Sequence, residues 1–327
     1  MSLRYRAYGL TIASELPLPE LAFGVDVEST TGGDVQVFLV RGHKECSSPT
    51  HWFLTYTLPT GGLWLSCARY GDGYLLRFPE LADFSVDARG REIICTAEPE
   101  TPPDTLRHLL LDQVLPLVLH LRGRVALHAT AVLLPLGVCA FVGLTGAGKS
   151  TLAASFLRSG FSVINDDCLV VEEQGEEVYA LPSYPGLRLW DDSREALYGV
   201  SSPSLPVAHY TAKQRLILTD WSHSLFTTRH PVAGVYSLIR STERGEGAKL
   251  TEPRMQRLSW RDGVVELLSH VFRLDTMNRE ASIRELNFLA RVVAQVPVCQ
   301  LWMPNAFSTL PAVQKMVLAD LQERAMP

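Results

Sequence analysis

The 327-residue sequence predicts a mixed α/β (α+β) protein in two parts, a small β-rich domain over residues 1–100 and a phosphate-loop α/β domain over residues 101–327. Three observations lead there. Short alternating runs separated by turn residues fill the first hundred positions. An apolar run, a glycine-rich loop and a helical pattern follow one another between Gly137 and Arg158. The last third carries helical periodicity with cap residues.

In the first part, Val35–Val40, Trp52–Thr57 and Gly73–Phe78 read as strands, with hairpin turns at Gly71–Gly73 and Asp87–Gly90. The domain reads as mostly antiparallel and carries no catalytic constellation. Thr101-Pro102-Pro103-Asp104 then reads as a capped helix start, and Leu106, Leu109, Leu110, Val114 and Leu117 keep the helical spacing to about Leu121, with a bend expected at Pro116. Beyond it, Val125–Leu134 and Gly137–Val142 read as strands, and Phe161–Asn165 and Cys168–Glu172 as two more. Ser201–Pro206 reads as a loop, Val232–Arg240 as a strong strand and Arg244–Gly247 as its turn. Ser259–Asp262 caps one helix, a long amphipathic helix spans about Asn278 to Gln295, and strand Val298–Met303 leads to a last helix near Pro311–Arg324.

Composition narrows the function. A net charge of −5 without a basic stripe argues against nucleic acid as the main partner. The longest apolar stretch, Val125–Gly143, is interrupted by His128, Pro135 and Gly137, so no membrane span is expected. Cys46, Cys67, Cys95, Cys139, Cys168 and Cys299 are far apart and mostly within apolar runs, which predicts buried thiols in a reducing cytoplasm. The N-terminus shows no signal-peptide pattern.

The chemistry concentrates at Gly143-Leu144-Thr145-Gly146-Ala147-Gly148-Lys149-Ser150-Thr151, which fits the phosphate-loop pattern between a strand and a helix. Glycines let backbone N–H groups turn onto phosphate oxygens, and the helix N-terminus adds partial positive charge. Gly143, Thr145, Gly146, Ala147, Gly148, Lys149, Ser150 and Thr151 are thus the candidate ATP-binding residues, with Lys149 reaching phosphate and Ser150 ligating Mg²⁺. Sixteen residues after Ser150, Asp166-Asp167 leaves an apolar strand. One carboxylate can activate an acceptor hydroxyl and the other can hold the metal. His128, alone on an apolar strand, reads more readily as a satisfied core residue than as a catalytic one. Arg188 alternates with Leu187 and Leu189, so it reads either as a phosphate clamp or as a surface arginine.

Together, Leu127-His128-Ala129, the loop 143–151 and Ile164-Asn165-Asp166-Asp167 resemble the HPr kinase/phosphorylase family, and within it the HPr kinase-like proteins that include the lasso-peptide precursor kinases. Pro182–Trp190, Val271–Arg273 and Val296–Leu301 add to the resemblance. It implies a kinase core of the HPr kinase and phosphoenolpyruvate carboxykinase type, and ATP- and Mg²⁺-dependent phosphorylation of a serine hydroxyl on a peptide or protein. Under it, Asp166 matches the acceptor-activating aspartate and His128 the family's active-site histidine; together with Arg188, taken from its position and chemistry, these are the catalytic candidates. Ser150 and Asp167 are the metal candidates. A homo-oligomer is also implied. Two departures stand out: Thr151 where the family has Glu, and no acid in Ser183–Arg188 where the family has a further magnesium ligand. Asp191 and Asp192 stand nearby. A small-molecule kinase and a nucleotide-binding regulatory protein without turnover are the alternative readings.

Overall fold

The computed structural model describes residues 2–24, 33–42, 49, 51–58, 61–181, 183–184, 186–216, 225, 228–240, 250–275 and 278–325. The expected turn at 244–247, Cys46, Pro182 and Pro185 lie outside the described residues. The fold is mixed α+β and divides into two compact units, residues 1–124 with 207–211, and residues 125–206 with 212–327.

In the first unit, β1 (Leu3–Ala7), β2 (Leu10–Ser14), β3 (Val35–Arg41), β4 (Trp52–Thr57), β5 (Leu63–Tyr70), β6 (Gly73–Phe78), β7 (Ala82–Val86) and β8 (Glu92–Ala97) form one sheet in the order β1-β2-β3-β8-β7-β6-β5-β4. Among the described residues of this sheet, only β2–β3 and β3–β8 pair in parallel. Tight turns join β5 to β6 and β7 to β8, as the Gly-Asp-Gly and Asp-Ala-Arg-Gly signals predict.

The helix expected to open the second domain groups instead with the first unit, and the division falls at Arg124 rather than near residue 100. Specific contacts hold it there. Arg107 pairs with the buried Glu20 at 3.0 Å. Arg122 Nη1 donates to the Asp34 carbonyl at 3.1 Å, and Gly90 passes so close to Val118 that an added Cβ would stand 3.0 Å from its Cγ1. The helix runs as α1 (Pro103–Leu109) and α2 (Leu115–Leu121), joined by a wider turn over Leu110–Val114. That turn replaces the expected bend, because the Pro116 ring would otherwise meet the carbonyl four residues earlier. Thr101 does not cap; its hydroxyl donates to the Leu81 carbonyl at 2.7 Å.

In the second unit, β9 (Val125–Leu127), β10 (Ala129–Leu134), β11 (Gly137–Val142), β12 (Ser162–Asn165), β13 (Leu169–Gln174), β14 (Glu177–Ala180), β18 (His230–Arg240), β19 (Arg254–Arg257) and β20 (Val298–Met303) share a nine-stranded mixed sheet. Its spine is parallel: β18 pairs with β11 on one side and with β20 on the other. The single strand expected over 125–134 breaks at His128, so β9 pairs with β13 while β10 pairs with β11 and β12. A small sheet, ordered β15 (Arg188–Leu189), β17 (Gln214–Leu216) and β16 (Ser204–Pro206), includes the end of the segment expected to be a loop. The helices are α3 (Lys149–Arg158), α4 (Asp191–Tyr198), α5 (Trp260–Leu268), α6 (Arg279–Gln295) and α7 (Leu310–Ala325). Ser259 and Asn278 cap α5 and α6 through their side chains.

Alternation along the central strands builds two cores. Cys139, Phe141, Tyr236 and Leu238 meet α3 and α7 through Leu152, Phe156, Val313 and Val317. Val138, Ala140, Val142 and Val235 meet α5 and α6 through Leu267, Leu289 and Val292. The phosphate-loop motif therefore sits on a strand clamped from both faces. Phe141 and Phe156 stack with centroids 5.7 Å apart. Phe156→Ala is expected to cost about 3–5 kcal/mol in denaturant unfolding; a loss under about 1 kcal/mol contradicts this packing.

Candidate functional site

The site forms where β10 begins and β11 and β12 end, beside α3 and the small sheet. β11 runs out at Val142, and Gly143, Gly146 and Gly148 all take positive φ, at 146°, 85° and 99°. At Gly143 the requirement is also steric, since an added Cβ would stand 2.9 Å from the Leu238 carbonyl oxygen. Leu144, Thr145 and Gly146 form the exposed tip, Ala147 is buried beneath it, and Lys149 starts α3. Lys149 Nζ folds back to donate to the carbonyls of Gly143 (2.7 Å) and Leu144 (3.2 Å). Burial lowers its pKa, while Asp167 and Asp166 oppose the shift. The first amides of α3 have no partner within the helix, so the loop and the buried ammonium face the same space.

Asp166 leaves β12 and is 4% exposed. Its Oδ1 accepts from Thr130 Oγ1 at 2.6 Å and from Ser150 Oγ at 2.9 Å. Its Oδ2 accepts from the Arg188 backbone N–H at 2.9 Å. Burial pushes its pKa up, the neighbouring Asp167 adds to this, and Arg188 and Thr130 pull it down. Asp167 has φ 71°, a backbone region that β-carbon residues rarely occupy. This twist turns its carboxylate away from Asp166 and toward Arg188 Nη1, 3.0 Å from Oδ2. Burial raises the Asp167 pKa, but Arg188, Lys213, His128 and Lys149 outweigh it and hold the carboxyl well below the usual range. Two adjacent acids thus sit in opposite electrostatic environments.

Arg188 is 1% exposed, which overturns its reading as a surface residue. Its Nη2 donates to the Tyr184 hydroxyl at 3.1 Å. His128 stands in the break between β9 and β10. Its Nδ1 donates to the Asp167 carbonyl at 3.1 Å, and its backbone N–H donates to the His270 carbonyl at 2.7 Å. Phe272 meets its ring edge-on at 5.6 Å.

The predicted residues Gly143 to Ser150, Asp166, Asp167, His128 and Arg188 therefore converge. Thr151 does not, because its hydroxyl lies 3.0 Å from Ser193 Oγ and ties α3 to α4. Asp191 and Asp192 are engaged at the start of α4, Asp191 with Arg194 and Asp192 with the Ser193 amide. Four residues escaped sequence reasoning. Thr130 lies two positions after His128, a spacing that could have flagged it. Tyr184 sits in the segment around Arg188. Lys213 acts electrostatically on Asp167, His128 and Lys149 from an unremarkable loop. Arg240, at the end of β18, lies beside Gly148, where an added Cβ would stand 3.7 Å from its Nη2.

No family model matches the sequence, and no curated protein matches it. Among solved structures, the fold is similar to the Hpr(Ser) kinase/phosphatase from Coxiella burnetii, at 11% identity and a TM-score of 0.31, over 61% of this chain and 98% of that one. Among the described residues, no helix is long and apolar enough to cross a membrane. None of them form a cluster of three or more His, Cys, Asp or Glu able to hold a metal ion.

Burial, and then Lys149, push the His128 pKa down to about 4. The folded value lies below the unfolded one, near 6.5. Its contribution to stability is therefore present above pH 6.5 and falls away as pH drops toward 4. NMR at pH 6 should find the His128 ring neutral with the proton on Nδ1, and His128→Gln should flatten stability between pH 6.5 and 4. A ring that titrates near 6.5 contradicts this environment.

Proposed function

We propose that the second unit is an ATP- and Mg²⁺-dependent phosphotransferase that passes a γ-phosphoryl group to a serine hydroxyl of a peptide or protein. The observation that carries the reading is the hydrogen-bonded chain from the loop to the paired acids: Ser150 Oγ to Asp166, Asp166 to the Arg188 backbone, and the Arg188 guanidinium to Asp167. It joins a phosphate-shaped loop to a carboxylate held beside fixed cations, the arrangement that phosphoryl transfer to a hydroxyl requires.

The donor set fits a nucleotide and its metal. Loop amides and Lys149 would meet phosphate oxygens. Ser150 donates its hydroxyl proton to Asp166, which leaves the oxygen lone pairs free for a cation. Mg²⁺ bound there neutralises phosphate charge. Both Asp166 oxygens are already engaged on this side. Asp167 is the more open of the two, its side chain 16% exposed, and it lies by His128. The geometry therefore favours Asp166 on the metal side and Asp167 on the acceptor side, the reverse of the roles the resemblance implies.

In transfer, Asp167 orients the acceptor hydroxyl and takes its proton as the new O–P bond forms and the bond to the leaving diphosphate breaks. Its low pKa suits orientation more than strong basicity, which a loose transition state tolerates. Arg188 holds the Asp167 carboxylate and offsets charge on the moving phosphoryl group. His128 fixes the Asp167 backbone through its Nδ1–H.

Lys149→Ala and Ser150→Ala should lower MgATP affinity or turnover at least about tenfold with circular dichroism unchanged; wild-type turnover in Lys149→Ala contradicts the assignment. Asp167→Asn should reduce transfer by about 10²-fold with little change in ATP affinity. Asp166→Asn should instead raise the Mg²⁺ concentration needed. The opposite split between the two variants would restore the roles implied by the resemblance.

A further inference from the structure

His128 belongs to neither strand beside it, because β9 pairs with β13 while β10 pairs with β11 and β12. Its backbone N–H is met instead by the segment that follows α5. The His270 carbonyl accepts from it at 2.7 Å, and the Phe272 N–H donates to the Ala126 carbonyl at 2.9 Å. These two bonds flank an antiparallel bridge between Leu127 and Val271. The Phe272 ring then meets the His128 imidazole edge-on. Residues 270–272 thus line the strand break and touch the histidine through both its backbone and its ring.

Both ends of this segment are tied down by groups that the transfer chemistry does not use. At one end, Glu266 Oε1 on α5 accepts from Ser237 Oγ on β18 at 2.6 Å and lies 3.2 Å from His270 Nε2. Ser237 stands beside Val142, the residue before the glycine loop. The hydrogen bond from His270 lowers the Glu266 pKa; burial opposes that shift and Ser237 adds to it. At the other end, Arg273 Nη2 donates to the Leu268 carbonyl at 2.9 Å, and its Nε donates to Glu285 Oε1 at 2.7 Å. The Glu285 side chain is 4% exposed, and a carboxylate buried that deeply is costly unless it is paired.

Asp167 needs such support. Its φ of 71° is a strained conformation that persists only where the surroundings over-determine it. The bond from His128 Nδ1–H to its carbonyl is one of the contacts that do so. We propose that residues 270–273 form a splint that positions His128 and, through it, Asp167, so that Glu266 and Arg273 are positioning residues of the site. The inference rests on reading the Asp166–Asp167 site as a phosphoryl-transfer site.

The test uses the full-length protein, as Glu266→Ala and as the double variant Arg273→Gln with Glu285→Gln, which removes the pair without leaving a buried charge alone. Hydrogen exchange followed by NMR without nucleotide should be at least about tenfold faster at the His128 and Phe272 amides in both, with the β11 amides unchanged. The His128 ring should lose its preference for a proton on Nδ1. Transfer from ATP to a pool of synthetic serine peptides should fall at least about tenfold in kcat, with KM for ATP within about twofold. Glu266→Gln, whose amide oxygen can accept both bonds, should restore wild-type behaviour. Wild-type exchange at the His128 amide in both variants, exchange that rises equally in β11, or unchanged transfer despite a loosened His128 amide overturns the proposal. If the wild-type protein transfers nothing, the phosphoryl-transfer reading fails, and exchange alone decides the splint.

Discussion

The Asp166 carboxylate is the point on which the site depends. It is buried, yet it accepts hydrogen bonds from Thr130 on β10, Ser150 on α3 and the Arg188 amide on β15. Three separate elements are thereby held to one side chain in a low-dielectric setting, where an unmet polar group is costly. The same contacts explain the local backbone. Asp166 is committed inward, so the next carboxylate must turn away, and Asp167 does so at φ 71°.

Charge follows from this arrangement. Arg188, Lys213 and Lys149 all act on the Asp167 carboxylate, and Arg240 lies beside Gly148 at the start of α3. Burial raises both carboxyl pKa values; the neighbouring Asp167 pushes Asp166 further toward the neutral form, while the cations around Asp167 keep it ionised. A neutral His128 completes the surround without adding charge. Paired groups driven apart in this way are a recurring mark of sites that divide labour between two carboxyls.

Much of this was legible in the sequence because it is local. The strand–loop–helix pattern around Gly143–Thr151, the cap at Ser259, the helix starting about Asn278 and the strand ending at Asn165 depend on neighbouring residues. What required the fold is non-local. His128 reads as mid-strand, and only the competition between β9 and β10 for different partners breaks the strand there. Thr151 belongs to the motif by spacing, but its hydroxyl faces α4. The helix 103–121 follows a plausible boundary signal, yet its ion pair with Glu20 ties it to the preceding sheet. Arg215 looks like an ordinary charge until its pairing with β15 sets it opposite Arg188, and so does Lys213 until the loop before β17 brings it to the Trp190 ring.

A crystal structure of the full-length protein with Mg²⁺ and a non-hydrolysable ATP analogue tests the central claim most directly. The β- and γ-phosphate oxygens should lie within hydrogen-bond distance of the 144–149 amides and Lys149 Nζ, with Ser150 Oγ on the metal and Asp167 facing the γ-phosphate. Nucleotide bound elsewhere, or a loop 143–151 that contacts no phosphate, would contradict it.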